Sequence, residues 1–223
     1  MNGRKFKINL RSAIGEFLIV VLGIIAAFQL DAWKESRDNN KLLAEYLTDL
    51  EVGLRNDSLY FGLAVQYFEN IEAQIDSTQA FLKAGLRDIP PSGSNGLWKF
   101  ADWYRLYISN AAFEDLNNSG RLNLIKDKRL RHDLIGYYQY TEFVKLLDKE
   151  YNQSLDRMHE NLLTRIDFQN SESVLISETD VPVIMNFLDQ KRSYMSNYLS
   201  HRSTCQSIND SVRKQIKALL EQP

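Results

Sequence analysis

Apolar residues recur along most of this chain at alternating steps of four and three. Because an α-helix turns once every 3.6 residues, this spacing places them on one helical face. Its persistence over several heptads predicts long helices that pack nearly parallel to one another. The first stripe is Leu43, Leu47, Leu50, Leu54, Asp57, Phe61, Ala64, Phe68, Ile71, Ile75, Thr78 and Leu82, and the second is Leu130, Leu134, Tyr137, Thr141, Val144, Asp148, Tyr151, Leu155, Met158 and Leu162.

A third stripe between Val183 and Leu220 is less regular. Pro182 suits the first turn of its helix, with Thr179 or Asp180 as the cap. Lys191, His201 and Gln215 interrupt the stripe. Its apolar members are Ile184, Phe187, Tyr194, Tyr198, Cys205, Ile208, Val212 and Leu219.

Between the stripes the pattern predicts a loop at residues 87–96, which is rich in proline and glycine, and short helices at Leu97–Ile108 and Ala112–Asn118. The best strand candidate, Ser173–Ser177, is too short to support a sheet alone.

A different pattern occupies the N-terminus, where Ala13–Leu30 is almost continuously apolar. Its length meets the roughly 20 residues that a membrane-spanning helix needs. The preceding leader, residues 1–11, is basic and carries no acidic residue, whereas the residues after Trp33 are of mixed charge. Because Lys and Arg near a span prefer the cytoplasmic side, we expect the leader inside and residues 34–223 outside the cytoplasm.

A cleaved signal peptide is the competing interpretation of this N-terminus. The apolar stretch exceeds the usual 7–15 residues of a signal peptide, and no clean A-x-A cleavage site follows it. These features favour an uncleaved signal-anchor over residues 12–33. The predicted fold is therefore all-α, with one N-terminal transmembrane helix followed by an elongated extracytoplasmic bundle of three long helices plus short ones.

Composition narrows the function classes. The chain has 27 basic and 29 acidic residues, and four of the bases lie in the leader. The mildly acidic exterior argues against nucleic acid as a partner, because phosphate binding needs a concentrated basic face. Cys205 is the only cysteine. We expect it to be a small buried residue, with a bridge between chains as the alternative.

The sequence offers little for catalysis. The histidines are His132, His159 and His201, and His159-Glu160 lacks the second histidine that a helical zinc site needs. No nucleophile elbow and no phosphate-binding glycine loop occurs. We predict no enzymatic activity, no metal and no cofactor.

Three segments resemble the DUF6090 family, a group of bacterial membrane proteins common in Bacteroidota. They are Ala13-Ile-Gly-Glu16 with Ala27-Phe-Gln-Leu-Asp-Ala-Trp33, then Leu43-Ala-Glu-Tyr-Leu-Thr-Asp-Leu-Glu51, and Phe113-Glu-Asp-Leu-Asn-Asn-Ser-Gly-Arg-Leu-Asn-Leu-Ile125. The resemblance covers most of residues 13–140. It implies a bacterial inner-membrane protein with a helical periplasmic exterior, and it implies no activity.

Glu16 is the first candidate functional residue, because an ionised carboxylate within a span is costly and usually faces a partner or a pore. Gly15, Gly23 and Ala27 continue a face of small residues, broken by Ile19, that would let another helix approach closely. We expect a helix–helix contact here. The alternatives are a carboxylate that reaches the interface and a proton relay of the stator type.

The second candidate is the corner that carries Phe113, Glu114, Leu116, Ser119, Gly120, Leu124 and Ile125. Gly120 suits a left-handed helix stop, and Asp127 suits the N-cap of the helix from Lys128. The corner either locks the bundle or presents a surface to a ligand or partner.

Asp57 and Asp148 interrupt the two best stripes. They either lie at exposed positions or face the core, where a buried charge needs a partner such as Arg55 or Lys145.

These features favour a single-pass membrane protein that binds other proteins, or an accessory subunit of a membrane complex that self-associates or meets its partner through the anchor. A sensory or ligand-binding exterior is the alternative, with the ligand unspecified. A stator-like component that uses Glu16 is a third.

Overall fold

The computed structural model describes residues 10–89, 106–164 and 174–221 of the chain. Within these ranges almost all residues are helical, which confirms the predicted all-α class with three long helices. The leader, most of the loop 87–96 and most of the predicted helix Leu97–Ile108 lie outside the described residues. In chain order the elements are α1 (Leu10–Lys83), β1 (Asp88–Ile89), α2 (Ala111–Asn118), a 3-10 helix (Arg121–Leu124), α3 (Lys128–Leu163), β2 (Val174–Leu175) and α4 (Val181–Leu220).

Two compact units divide the chain, residues 1–47 and residues 48–223. In the first unit, α1 contains an 18-residue window with a mean hydropathy of 2.0, and none of that window is buried within the protein. Length and composition make this part of α1 a candidate membrane span. The side of the membrane on which each end lies stays a prediction, as does the boundary at residue 33.

The second unit is a bundle in which α1, α3 and α4 enclose one apolar core. The predicted stripes form its inner faces: within residues 48–223 every stripe position of α1 is buried, and on α3 only Tyr151 and Met158 are partly exposed. The core cluster is Ala64, Phe68, Ile71, Ile75, Leu82, Leu155, Leu162, Ile176, Ile184, Phe187, Leu188, Met195 and Tyr198.

The inner face of α4 differs from the predicted stripe. Ile208 and Leu219 are only partly buried, whereas Asn209 and Ile216 lie in the core. Lys191, which was expected to interrupt the stripe, is 3% exposed. The buried face of α4 keeps the alternating steps of three and four and includes the polar residues that fall on it. The reason is that only the side of α4 that packs against α1 and α3 lies inside the bundle. Its buried members are Ile184, Phe187, Leu188, Lys191, Met195, Tyr198, Arg202, Cys205, Asn209, Val212 and Ile216.

The strands β1 and β2, of two residues each, pair in antiparallel orientation. Asp88 faces Leu175 and Ile89 faces Val174. The Ile176 N–H also donates to the Arg87 carbonyl at 2.9 Å. The sequence predicted no convincing strand, and each strand here is indeed too short to be recognised before the tertiary structure brings the two together.

Part of the predicted helix Leu97–Ile108 is wrong in the described range, because residues 106–110 are not helical. Leu106 and Ile108 are buried, and Tyr107 between them is 64% exposed. This alternation is the period of an extended chain, in which successive side chains point to opposite sides. We call residues 106–110 the strap.

Candidate functional site

The anchor residues singled out in the sequence lie on the open surface of α1. Glu16 and Ala27 are exposed. A Cβ atom added at Gly15 or Gly23 would meet nothing within 4 Å. A helix–helix contact through this face would therefore be made with another chain, and it stays a prediction.

The corner has the predicted backbone. Ser119 ends α2, and Gly120 takes the left-handed conformation, with φ at 70°. The Asp127 carboxylate then caps α3 by accepting from the N–H groups of Arg129 (2.8 Å) and Leu130 (3.1 Å).

The corner residues divide by environment. Leu116 and Ile125 are fully buried, and Phe113 stacks on Tyr138 of α3 with ring centres 4.1 Å apart. Glu114 is exposed and pairs with Asn110, while Leu124 is partly buried. These contacts favour the structural interpretation, in which the corner holds α2 against α3.

The two aspartates of the stripes are both buried, so the exposed interpretation is wrong. Asp57 on α1 is 0% exposed. Its carboxylate accepts from the Ser109 N–H at 2.8 Å and from the Tyr137 hydroxyl at 2.8 Å. The side-chain amide of Asn209 on α4 donates to the same hydroxyl at 3.2 Å and to the Leu54 carbonyl at 2.9 Å. One polar network thus joins all three long helices.

Asp148 on α3 forms a second network and is 7% exposed. Its Oδ2 atom accepts from the Leu106 N–H at 3.2 Å and lies 3.9 Å from the guanidinium of Arg202 on α4. That guanidinium also lies over the Tyr198 ring, 3.8 Å from its centre, as a cation–π contact. The Oδ1 atom of Asp148 is buried and has no hydrogen-bond partner in the described part of the chain.

The two carboxylates hold the strap at its two ends. Its N–H groups at Leu106 and Ser109 point to Asp148 and Asp57 respectively. A buried extended segment outside a sheet must find other partners for its backbone, and the two aspartates supply acceptors. The expected partners Arg55 and Lys145 play a small part: Arg55 is exposed, and Lys145 pairs with Glu142 at 2.6 Å.

Burial dominates the electrostatics of both carboxylates. It raises the pKa of Asp57, an effect that the bonds from Ser109 and Tyr137 oppose. Burial also raises the pKa of Asp148 to about 7, against the opposing effects of Arg202 and the Leu106 N–H. The Cys205 thiol is buried, as expected, and burial raises its pKa to about 12.

A small, mainly apolar cavity of about 30 Å³ lies beside Asp148 inside the bundle. Asp148 and Asn152 also line an outer cleft of about 300 Å³ together with Leu106, Lys145, Lys149 and Gln153. The two residues therefore stand between the cavity and the cleft. The cavity walls are Phe68, Asp148, Tyr151, Asn152, Leu155, Lys191, Tyr194, Met195 and Tyr198.

Aromatic residues of this cavity are held in place by hydrogen bonds and ring contacts. Tyr151 and Tyr194 stack with ring centres 4.8 Å apart. The Tyr194 hydroxyl lies 3.1 Å from the Ser154 hydroxyl and accepts from the Gln190 amide at 2.6 Å. These contacts fix the orientation of Tyr151 and Tyr194 in the cavity wall.

The sequence pattern did not identify Arg202 and Asn209 as members of these networks, or Lys191 as a buried residue of the cavity wall. A signal was present: steps of four, three and four from Tyr198 lead through Arg202 and Cys205 to Asn209. Following the helical period strictly, without preferring apolar residues, would have placed all three in the core.

Within the described residues, no group of three or more His, Cys, Asp or Glu side chains is placed to hold a metal ion. No protein-family model, curated protein or solved structure matches this chain.

Proposed function

We propose that this chain is a membrane-anchored helical protein that acts by binding other proteins, either alone or as an accessory subunit of a membrane complex. The proposal gives it no catalytic role. One observation carries it: the bundle exposes a row of large apolar side chains on α1 on the side away from the core.

That row consists of Val52, Leu59 and Leu63, which we call the outer stripe. At 100° per residue the three side chains fall within about 40° of one another around the helix. They lie opposite Leu54 and Phe61, which point into the core. Their exposed fractions are 39%, 64% and 54%.

Apolar residues scattered singly on a surface need no explanation, but a contiguous row indicates an interaction site. A row at steps of seven and four is the pattern by which one helix packs along another. The favoured partner is therefore an apolar helix of another chain.

The placement in the membrane is part of the proposal. The candidate span in α1 and the basic leader support an inner-membrane anchor with its N-terminus in the cytoplasm and residues 34–223 in the periplasm. The resemblance to the DUF6090 family supports the same topology. A reporter enzyme that is active only outside the cytoplasm, fused after residue 223, would be active if this orientation holds and silent if it is reversed.

The interaction is tested with the full-length chain in native membranes. A photo-reactive amino acid at position 59 or 63 should crosslink one protein in stoichiometric amounts. The double substitution Leu59→Glu with Leu63→Glu should abolish recovery of that protein after affinity purification. Because both residues are exposed, folding stability should change by no more than about 0.5 kcal/mol for each.

Leu146→Glu is the matched control. Leu146 is 56% exposed on α3, away from the outer stripe, and its substitution should leave recovery unchanged. Equal recovery with the stripe variant and with the wild type would remove the outer stripe as the binding surface. Glu16→Gln in the same assay asks whether the anchor contributes: loss of the partner would make the span part of the interface.

A second candidate function is ligand binding by the bundle. The specific observation in its favour is the cavity at Asp148, where a buried carboxylate oxygen has no hydrogen-bond partner among the residues that the structure describes. A completely filled core would favour a purely structural bundle, whereas a mainly apolar cavity with a few polar groups in its wall, next to an open cleft, is typical of a binding site.

A further inference from the structure

The strongest unexplained feature of the bundle is the Oδ1 atom of Asp148. A buried carboxylate oxygen without a donor is costly, and such groups are rare in folded proteins. Asp148 lines both the inner cavity and the outer cleft, so a molecule in either one lies against this side chain. The Oδ1 atom itself is buried in the bundle.

The charges around Asp148 select the kind of molecule. Lys145 and Lys149 line the cleft, Lys191 lines the cavity, and Arg202 lies 3.9 Å from Oδ2. A purely cationic ligand would meet these four positive groups. A purely anionic ligand would have to settle beside the unsatisfied oxygen of a carboxylate. A zwitterion satisfies both, with its ammonium on the aspartate and its carboxylate on the lysines.

The volume of the cavity limits the size of the ligand's side chain. Phe68, Leu155 and Met195 give it apolar walls. Its volume is about 30 Å³. One water needs about 10–15 Å³ on the same measure, so the cavity has room for a group of about two or three carbon atoms.

We propose that the bundle binds a small apolar α-amino acid at Asp148. The Asp148 side chain rotates on binding, so that Oδ1 becomes exposed and accepts from the ammonium group. The ligand carboxylate turns outward to Lys145 and Lys149, and a side chain of the size of isopropyl enters the apolar cavity. This inference rests on the second candidate function, ligand binding, and is independent of the partner that the outer stripe binds.

Isothermal titration of the purified full-length chain in detergent, near pH 8, tests the assignment with L-valine as the probe. Two analogues remove one charged group each: isovalerate lacks the ammonium and isobutylamine lacks the carboxylate. We expect saturable binding of valine, and binding of each analogue weaker by about tenfold or more, because each loses a charge-assisted hydrogen bond.

Variants then assign the residues. Asp148→Asn keeps an acceptor for the Leu106 N–H but loses the charge, and it should weaken valine binding by about tenfold or more. Asp57→Asn is the matched control, since it removes a buried carboxylate of the same bundle that does not line the cavity, and it should leave valine binding unchanged. Lys149→Gln, at an exposed position, should weaken valine but not isobutylamine.

The pH dependence of valine binding gives an independent test of the contact with Asp148. Among the described residues, the other titratable groups that line the cavity or the cleft or act on Asp148 are Lys191, Tyr194, Tyr198, Arg202 and Cys205 of α4 and Lys145, Lys149 and Tyr151 of α3. Because the pKa of Asp148 is about 7, valine should bind more tightly near pH 8 than near pH 6. Asp148→Asn should remove that difference.

The binding results separate the amino-acid assignment from the broader proposal that the cavity binds a ligand. Isovalerate that binds as well as valine would overturn the ammonium–Asp148 contact while leaving a ligand site in the cavity. No saturable binding of valine, of either analogue or of alanine would overturn both the amino-acid assignment and ligand binding by this cavity. The analogue series uses the wild-type chain, so it decides the question even if Asp148→Asn fails to fold.

Discussion

Asp148→Asn should flatten the dependence of folding stability on pH. A carboxyl whose pKa is higher in the folded than in the unfolded state binds its proton more tightly when folded. It therefore contributes stability that is fully present below the unfolded pKa and is lost as the pH rises through the folded pKa. For Asp148 this window runs from its ordinary pKa of 3.8 up to about 7.

The magnitude follows from that window. Raising the pKa from 3.8 to about 7 corresponds to about 4 kcal/mol, at about 1.4 kcal/mol for each tenfold change in proton affinity. The physical cause is burial, because the ionised carboxylate loses more hydration than the Leu106 N–H and Arg202 restore. The wild type should thus lose up to about 4 kcal/mol from this group between about pH 4 and about pH 8.

The change of the free energy of unfolding with pH reports on Asp148 more directly than the free energy of unfolding at any single pH. Asn at position 148 removes the carboxylate beside Arg202, and the loss of that pairing has its own cost. That pairing exists only when Asp148 is ionised, so its loss belongs to the titration that the folded pKa describes, whereas Arg202 stays charged throughout the range and adds no titration of its own. The difference in slope between variant and wild type isolates the titration of Asp148.

The assay is urea unfolding of the full-length chain in detergent, followed by far-UV circular dichroism at about pH 5 and about pH 8. Glu150→Gln is the control, because Glu150 is an exposed carboxylate on the same helix and should leave the slope unchanged. Parallel slopes for Asp148→Asn and the wild type would refute the reasoning, since they would mean that burial does not disfavour the charged form.

Three further changes test the packing around the networks. Tyr137→Phe removes the hydroxyl that donates to Asp57 at 2.8 Å, and urea unfolding should show a loss of about 2 kcal/mol; an unchanged midpoint would mean that the bond contributes nothing. Gly120→Ala should lower the free energy of unfolding by about 1–2 kcal/mol, because φ is 70° at this position. Gly136→Ala, with open space around its Cβ and an ordinary helical backbone, should raise it by about 0.5–1 kcal/mol in the same assay. Equal effects of the two substitutions would contradict the left-handed corner. Cys205 should react with a maleimide only after unfolding, since burial raises its pKa to about 12; rapid labelling of the native chain would show that the core opens there.

Much of the bundle was predictable because the helical period is a local property. Alternating steps of three and four identify the inner faces of α1 and α3 without knowledge of what they pack against. The stop at Gly120 and the cap at Asp127 are equally local, since each depends on the backbone within one turn. The same holds for the candidate span, which length and hydropathy alone identify.

The networks were only partly predictable. The two stripes singled out Asp57 and Asp148 as anomalies, but the expected partners were charged neighbours in sequence. Their actual partners are Tyr137 and Arg202 on other helices and backbone N–H groups of the strap, all far along the chain. A backbone N–H leaves no mark in the identity of a residue. Residues 106–108 of the strap were expected to be helical, because apolar and aromatic residues of this kind fit a helix as well as an extended segment.

The sequence by itself determined which faces of the long helices are apolar, where the chain turns and which segment is long and apolar enough to span a membrane, because these properties depend on residues within a few turns of one another. Only the tertiary structure decided that two buried carboxylates hold the strap, which groups Arg202 and Asn209 meet inside the bundle, and that a cavity opens beside Asp148. The reason is physical: a buried polar group is tolerated only when distant segments bring it a partner, and that meeting exists only in the packed bundle.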